Sequence, residues 1–252
     1  MTSTTVLKTW STYAAPSRFY ALATALSPWL WALTLASGIA GLWIGFAIAP
    51  TDFQQGDAYR IIFIHVPAAW MSMVIYLAMA FWAVWGWMLN ARMASMYARA
   101  LAPTGALFTL IALWTGALWG KPTWGTWWVW DARLTSEFIL LLLYVGYMAL
   151  TEAIDDARRS AHAGALLALV GAVNVPVIYF SVRWWNTLHQ GSTISMTAAP
   201  KMAATMLTAM GLLTISFWAY TFAITFTRSR AAVLENEADT AWVKELSRGV
   251  QR

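Results

Sequence analysis

The chain has 252 residues, of which 60% are hydrophobic and only 11% are charged, and its net charge is +5. Soluble globular domains carry about 25% charged residues, so this composition excludes an ordinary soluble domain and indicates a protein with several membrane spans. Because the sequence contains no cysteine, disulfides, thiolate metal sites and covalent haem attachment through cysteine are also excluded. We assign the positive charge to membrane topology and expect no nucleic-acid partner.

The sequence contains six apolar stretches, and most of them are close to the ~20 residues that a helix needs to cross the hydrocarbon core. The fourth is short, and its extension to 134–151 makes it long enough to span. We expect an all-α, polytopic membrane protein of one domain, in which a cytoplasmic segment at 1–28 precedes the six-helix region 29–226 and a cytoplasmic tail at 227–252 follows it. The six transmembrane helices are predicted over 29–49, 66–89, 101–119, 138–150, 164–182 and 202–226.

The distribution of basic residues predicts the orientation of these helices. Eleven Lys and Arg residues fall in the N-terminal segment, two alternate connections and the C-terminal tail, whereas five fall in the other three connections. Cytoplasmic segments of membrane proteins carry the excess of positive charge. Both termini are therefore predicted to be cytoplasmic, and the connections 50–64, 120–137 and 183–200 are predicted to lie outside.

The outer connection between the third and fourth helices is rich in tryptophan. Isolated tryptophans are common at membrane interfaces and need no further explanation. Here five of the 18 tryptophans fall within twelve positions, and Asp131 and Arg133 follow directly. Large indole faces stack well on a planar ring, so the loop predicts a site for a flat, apolar ligand. The five residues are Trp119, Trp124, Trp127, Trp128 and Trp130.

The conformation of this loop decides which indoles face the same way. Gly120, Pro122 and Gly125 are expected to break the preceding helix. If residues 124–130 form a helix of their own, the spacing i, i+3, i+4 places three indoles on one face. The sequence then predicts an aromatic shelf in the plane of the membrane interface.

Two of the three histidines flank the tryptophan loop. His65 precedes Pro67, a residue favoured in the first turn of a helix, so His65 is expected at or just before the start of the second helix. His189 lies in the third outer connection. One interfacial histidine is usually only hydrogen-bonded to its surroundings, but two imidazoles beside an aromatic shelf form an axial ligand pair for haem iron. His162 is interpreted as an interfacial residue of the opposite face.

Arginine would meet the two propionates of haem, because a guanidinium group pairs with a carboxylate in a bidentate fork. Arg60, Arg133 and Arg183 all fall in predicted outer connections, where arginine ordinarily anchors a helix end. We interpret Arg133, and after it Arg60, as propionate ligands. Asp131 is expected to orient Arg133, an indole N–H or a ligand histidine, and the sequence does not separate these roles.

The segment 119–135 resembles the tryptophan-rich WWD signature of the superfamily that handles haem in cytochrome c biogenesis. The six spans, with His65 and His189 in the flanking connections, are similar to the cytochrome c maturation protein C (CcmC) family over nearly the whole chain. The resemblance implies that the axial ligands are these two histidines. It also implies that the haem-binding motif falls on Trp119, Trp124, Trp127, Trp128, Trp130 and Asp131.

The resemblance further implies a function. The family presents haem b at the periplasmic face of the bacterial inner membrane and passes it to the periplasmic haem chaperone CcmE during cytochrome c maturation. It works with the ABC transporter subunits CcmA and CcmB and the small membrane subunit CcmD. Since this chain has neither a thiol nor a Gly-rich phosphate loop, we expect a positioning template, and the sequence leaves open whether promoting haem attachment makes it an enzyme.

Two other functions are weighed against haem delivery. A b-type membrane cytochrome in quinone-linked electron transfer also uses two histidines per haem, but it usually holds them at bilayer depth, whereas His65 and His189 are predicted at helix ends. A transporter for a small substrate is expected to carry ionisable groups inside its spans. The predicted spans contain almost none, and Asn174, near Pro176, is interpreted as the mark of a kink.

Overall fold

The computed structural model describes residues 15–189 and 202–250, and all regular elements in these two ranges are helical. A π-helical turn, Ile44–Ile48, extends the first helix, and a 3-10 helix, Asp57–Ile61, leads into the second. Most of the predicted outer connection 183–200 and half of the N-terminal segment 1–28 lie outside the described residues. The α-helices are α1 (Pro16–Trp43), α2 (Ile62–Leu89), α3 (Arg92–Trp124), α4 (Ala132–Glu152), α5 (Ala157–Gly171), α6 (Asn174–Trp184), α7 (Ala204–Asn236) and α8 (Ala241–Val250).

The prediction of six membrane spans is confirmed, although the helices extend beyond the apolar stretches. The first begins at Pro16 rather than at residue 29, and the third begins at Arg92 rather than at 101. Hydropathy marks only the apolar part of a helix, whereas polar residues continue the same backbone hydrogen bonding outside the hydrocarbon core. The stretches long and apolar enough to cross are Pro16–Ile48, Asp57–Leu89, Arg92–Trp124, Ala132–Glu152, Ala157–Trp184 and Ala204–Asn236.

Helix α2 lies at the centre of the bundle. Its side chains Met71, Ile75, Tyr76 and Met79 are almost fully buried against the neighbouring helices, chiefly α3, α5 and α7. Each end of α2 lies beside one of the two cavities described below.

Helices α1 and α7 pair along a line of small residues. A Cβ atom at Gly41 would lie 2.8 Å from Leu213 Cγ, so only glycine allows this approach. Nearby, the Ser216 hydroxyl donates to the Thr34 carbonyl oxygen at 2.8 Å. Small residues and interhelical hydrogen bonds are the usual means by which membrane helices associate.

The fifth span is interrupted between α5 and α6, at residues 172–173. Pro176 lacks the N–H that would continue the helical hydrogen bonds through this point. The Asn174 amide donates instead to the Ser136 carbonyl oxygen at 2.8 Å and ties α6 to the first turns of α4. The predicted kink is thus a break that fixes the position of α6 beside α4.

Candidate functional site

One end of the bundle brings together the start of α2, the end of α3, the start of α4 and the residues that follow α6. These elements surround a cavity of about 40 Å³, which we call the histidine cavity. The end at which it lies is the one that the basic residues predict to be outside. Among the residues lining it are His65, Trp119, Trp124, Arg133, Glu137 and His189.

His65 lies inside the first turn of α2, slightly later in the helix than predicted, and only 8% of it is exposed. Its Nδ1 lies 3.0 Å from the Thr115 hydroxyl oxygen, and that hydroxyl also lies 2.6 Å from the Ile111 carbonyl oxygen. A carbonyl can only accept, so the single hydroxyl hydrogen points to Ile111, and the His65 Nδ1–H donates to Thr115. In the neutral imidazole, Nε2 then carries the lone pair that can bind a metal.

The two predicted ligand histidines lie side by side. The ring centroids of His65 and His189 are 6.0 Å apart, and the ring planes differ by 29°. Each imidazole also meets one indole, since Trp119 lies edge-on to His65 at 5.7 Å and Trp124 lies tilted against His189 at 5.9 Å. Gly116 leaves room for the His65 ring, because a Cβ atom there would lie 3.1 Å from His65 Cε1.

The predicted helical shelf over 124–130 is wrong, and so is the predicted helix break at Gly120. Helix α3 continues through Gly120 and Pro122 to Trp124, and it ends at Gly125, whose φ of +78° is the left-handed conformation of a helix C-terminus. Glycine and proline are tolerated inside membrane helices because neighbouring groups form hydrogen bonds with the backbone groups that these residues leave without a partner. Residues 126–131 have no helical structure.

This correction divides the five tryptophans into two groups. Trp119 and Trp124 lie on α3 and line the histidine cavity, and the Trp119 indole N–H donates to the Gln55 side-chain oxygen at 2.7 Å. Trp127 and Trp130 are 54% and 75% exposed on the non-helical segment. Trp128 is half-buried against Trp130 and Phe138. Among the ring contacts that the structure describes, those of His65 and His189 with indoles are made by Trp119 and Trp124.

Asp131 acts as the N-cap of α4. Its Oδ1 accepts a hydrogen bond from the Leu134 backbone N–H at 2.8 Å, and the helix begins at the next residue. Its other oxygen, Oδ2, and the Trp128 indole nitrogen are both buried and find no hydrogen-bond partner within the described ranges. The cap fixes where α4 starts and hence where Arg133 and Glu137 project.

The structure separates the two arginines that were predicted to meet propionates. Arg133 lines the histidine cavity, and its Nη1 donates weakly to the Ile178 carbonyl oxygen at 3.4 Å. Arg60 is not among the residues that line this cavity. Its Nε contacts Asp57 Oδ1 at 2.9 Å and its Nη1 donates to the Gly45 carbonyl oxygen at 2.6 Å. Arg60 thus ties the first connection to the end of the first span.

Glu137 is a cavity residue that sequence reasoning missed. It is buried on α4, its Oε1 accepts from the Ser72 hydroxyl at 2.7 Å, and the Tyr144 hydroxyl donates to the Ser72 carbonyl oxygen at 2.8 Å. The sequence did contain a signal for it. Glu137 follows Arg133 by four residues, and side chains at i and i+4 lie on the same face of a helix, so the two are expected to point into the same space. Glu137 lies just outside the apolar stretch of the predicted fourth span, 138–150, and the observed helix α4 includes it because this helix begins earlier, at Ala132.

These features define a multi-pass membrane protein with a pair of histidines and a pair of tryptophans around one cavity at an end of its helix bundle. The sequence model of the Heme exporter protein C family matches residues 9–244. Heme exporter protein C of Escherichia coli (strain K12) is 46% identical over 240 residues, covering 95% of this chain and 96% of its own. The chain therefore belongs to the heme exporter protein C family, as the resemblance predicted.

Two further relatives show how widely the similarity extends. Heme exporter protein C of Haemophilus influenzae (strain ATCC 51907 / DSM 11121 / KW20 / Rd) is 44% identical over 240 residues, covering 93% of this chain and 96% of its own. A putative cytochrome c biosynthesis ccmC-like mitochondrial protein of Marchantia polymorpha is 48% identical over 165 residues, covering 66% of this chain and 68% of its own.

Proposed function

We propose that this chain binds haem at the histidine cavity, with His65 and His189 as the axial ligands of the iron, and delivers it to a periplasmic haem chaperone. The observation that carries this proposal is the 6.0 Å separation of the two imidazole centroids. A metal–imidazole bond is about 2.0 Å long, so two rings on opposite sides of one metal ion have centroids roughly 6 Å apart. The 6.0 Å separation of the two centroids therefore supports the proposal that the rings act as an axial pair.

The hydrogen bond to Thr115 supports His65 as a ligand. Histidines that bind metals usually donate their second ring N–H to a nearby acceptor, which fixes the tautomer and the ring orientation. The His65 Nδ1–H and the Thr115 hydroxyl oxygen form this arrangement at 3.0 Å. Nε2 is then the nitrogen that meets the iron.

The remaining walls suit a porphyrin that carries two carboxylates. Trp119 and Trp124 offer indole surface beside the two imidazoles, and Arg133 supplies a positive charge for a propionate. Since the chain has no cysteine for covalent attachment, we propose that the cargo is held through its iron and its ring, as haem b. Glu137 lies in the same wall and sets the local charge together with Arg133.

The size of the cavity adds a requirement to this proposal. Pockets for organic ligands measure about 300–1,000 Å³, whereas the histidine cavity measures about 40 Å³. This volume is too small for a whole porphyrin. Loading of haem therefore needs the surrounding connections to move apart, and the Trp119–Gln55 hydrogen bond is one contact between them.

Delivery is favoured over electron transfer by the position of the site. His65 lies in the first turn of α2 and His189 lies beyond the end of α6, so both rings are at one end of the bundle. The exposed indoles of Trp127 and Trp130 follow α3 at the same end and offer apolar surface to a docked chaperone. We propose CcmE as this chaperone, CcmA, CcmB and CcmD as the other subunits, and the periplasmic face of the inner membrane as the location.

Covalent labelling of the chaperone tests the proposal. We would co-express the chain with CcmE, separate the proteins on a denaturing gel and stain for haem at the mass of the chaperone. We expect labelling with the wild type and with His162→Ala, the matched control from the other end of the bundle, and none with His65→Ala plus His189→Ala. An unlabelled chaperone beside a wild-type membrane protein with a stable haem spectrum would reject delivery and favour the b-type cytochrome.

A further inference from the structure

A second and larger cavity opens at the opposite end of the bundle. It measures about 760 Å³ and is lined by the end of α2, the first turns of α3 and α5, and the last residue of α7. Its volume lies within the range of about 300–1,000 Å³ that is typical of ligand pockets. We call it the arginine cavity, because Arg92, Arg99, Arg158 and Arg159 all line it.

The arginine cavity carries an excess of positive charge. Asp156 is the one acidic residue in its lining, and its Oδ1 accepts the Arg159 backbone N–H at 2.7 Å as the N-cap of α5. Across the part of the chain that the structure describes, no carboxylate forms an ion pair with any of the four guanidinium groups. Arg99 donates to the Ser160 hydroxyl at 2.7 Å, which leaves its charge uncompensated.

Two helix N-termini add to this positive potential. Helix α3 begins at Arg92 and helix α5 begins at Ala157, and both starting turns lie in the cavity wall. The first backbone N–H groups of a helix lack partners within it, and the aligned peptide dipoles favour an anion there. No side chain caps the start of α3, whose N-cap residue is Ala91. Four guanidinium groups and the uncapped start of α3 therefore line one space, whereas the start of α5 is capped by Asp156.

The rim of the arginine cavity is apolar. Trp87, at the end of α2, lines the cavity and stacks face to face on His162 with centroids 4.9 Å apart and planes 10° apart. Met88 and Leu89 follow it in the chain, and all three are exposed large hydrophobic residues. These residues end a membrane span, so their exposed side chains lie where lipid head groups meet acyl chains. A ligand that fits both parts has anionic groups inside the cavity and an apolar body outside it.

We propose that the arginine cavity binds the head group of an anionic phospholipid with two phosphates. Each phosphate pairs with two of the four guanidinium groups, and the acyl chains lie against the apolar rim beside Trp87. Basic pockets between membrane helices on the cytoplasmic side are a known kind of binding site for such head groups, and the distribution of basic residues predicts that this end is cytoplasmic. The proposal does not depend on haem binding at the other end.

Lipid retention by purified protein tests this site. We would extract the protein in mild detergent from membranes containing cardiolipin and count the bound lipids by native mass spectrometry. The test variant is Arg158→Gln plus Arg159→Gln. The matched control is Lys244→Gln plus Arg248→Gln, which removes the same charge from α8 at the same end but outside the cavity. We expect the test variant to bind cardiolipin about 25-fold more weakly, at about fivefold for each arginine removed, and the control to bind it like the wild type.

Further arms separate the sources of an anion. Neither inorganic phosphate nor phosphatidylcholine vesicles should displace bound cardiolipin or occupy the cavity in its place. Vesicles that contain cardiolipin should restore the bound lipid to protein that has lost it. Equal retention by the test variant and the wild type, or equal loss in the control, would overturn the proposal. So would binding of inorganic phosphate alone, or haem binding that the test variant loses. Arg92→Gln is the second variant, because it alters only one wall of the cavity. A normal melting temperature shows that each variant is folded.

Discussion

The two ends of the bundle each place a histidine against a tryptophan, yet they differ in their number of histidines and in their charge. At one end His65 meets Trp119 edge-on and has a second imidazole, His189, at 6.0 Å. At the other end His162 stacks flat on Trp87 and lines the arginine cavity. The contact between imidazole and indole is common to both, so it does not mark a haem site. The second imidazole is what sets the proposed haem site apart.

Charge distinguishes the two ends as clearly as histidine does. The histidine cavity balances Arg133 against Glu137, whereas the arginine cavity holds four guanidinium groups against Asp156. A haem that is held by two histidines needs a lone pair on each side of its iron, and positive charge at its edge stabilises the propionates. A phosphate-rich ligand needs positive charge above all. The following predictions test this division, from the largest expected effect to the smallest.

The largest effect is expected from filling the histidine cavity. Leucine at position 116 would project into the space beside His65, because even a Cβ atom there lies 3.1 Å from its ring. We expect Gly116→Leu to lower haem affinity by about 100-fold, at the upper end of what a disturbed ligand environment costs, in a haem titration followed by absorbance. Gly211→Leu is the control, since nothing lies within 4 Å of a Cβ atom there. Equal losses in both variants would contradict a site beside Gly116.

The two arginines near the histidine end should behave differently. Arg133→Gln removes a charge from the cavity wall and is expected to weaken haem binding by about tenfold with an unchanged melting temperature. Arg60→Gln breaks contacts with Asp57 and the Gly45 carbonyl and is expected to lower the free energy of unfolding by about 2 kcal/mol. Haem titration and thermal unfolding measure the two outcomes. A tenfold loss of haem affinity in Arg60→Gln would restore Arg60 as a propionate ligand.

A smaller effect is expected at Thr115, which binds His65 rather than haem. Thr115→Val removes the acceptor for the His65 Nδ1–H, and we expect haem affinity to fall by about tenfold or somewhat less. Thr109→Val is matched to it, because Thr109 is buried on the same helix and bonds only the Gly105 carbonyl among described groups. In a haem titration, Thr109→Val should bind haem like the wild type and Thr115→Val should bind it more weakly. Identical affinities of the two variants would contradict the assigned orientation of His65.

The smallest effect is expected at the exposed tryptophans. Trp130→Leu should leave haem affinity within about twofold of the wild type while slowing transfer to the chaperone by about threefold, which corresponds to one aromatic contact. Trp119→Leu should instead weaken binding itself, because Trp119 contacts His65. A time course of chaperone labelling, beside a haem titration, distinguishes the two. If Trp130→Leu weakens binding as much as Trp119→Leu, the exposed indoles belong to the haem site.

The sequence was sufficient to predict the six spans and the pairing of His65 with His189, because hydropathy and the alternation of basic residues decide which helix ends share a face. It was insufficient for the tryptophan loop. Gly120 and Pro122 usually end helices in water, but α3 continues through both in the bundle. Glu137 was missed because its burial depends on Ser72, 65 positions away in the sequence. A contact between residues so far apart in the chain leaves no pattern in the local sequence.

The most direct test of the account is the coordination state of the iron in purified protein loaded with haem. Resonance Raman and absorbance spectra would be recorded for the wild type, for His65→Gly and for His162→Gly. Six-coordinate, low-spin iron is expected in the wild type and in His162→Gly, and loss of that state in His65→Gly should be reversed by added imidazole. Five-coordinate iron in the wild type, or an unchanged spectrum in His65→Gly, would contradict axial ligation by His65 and His189.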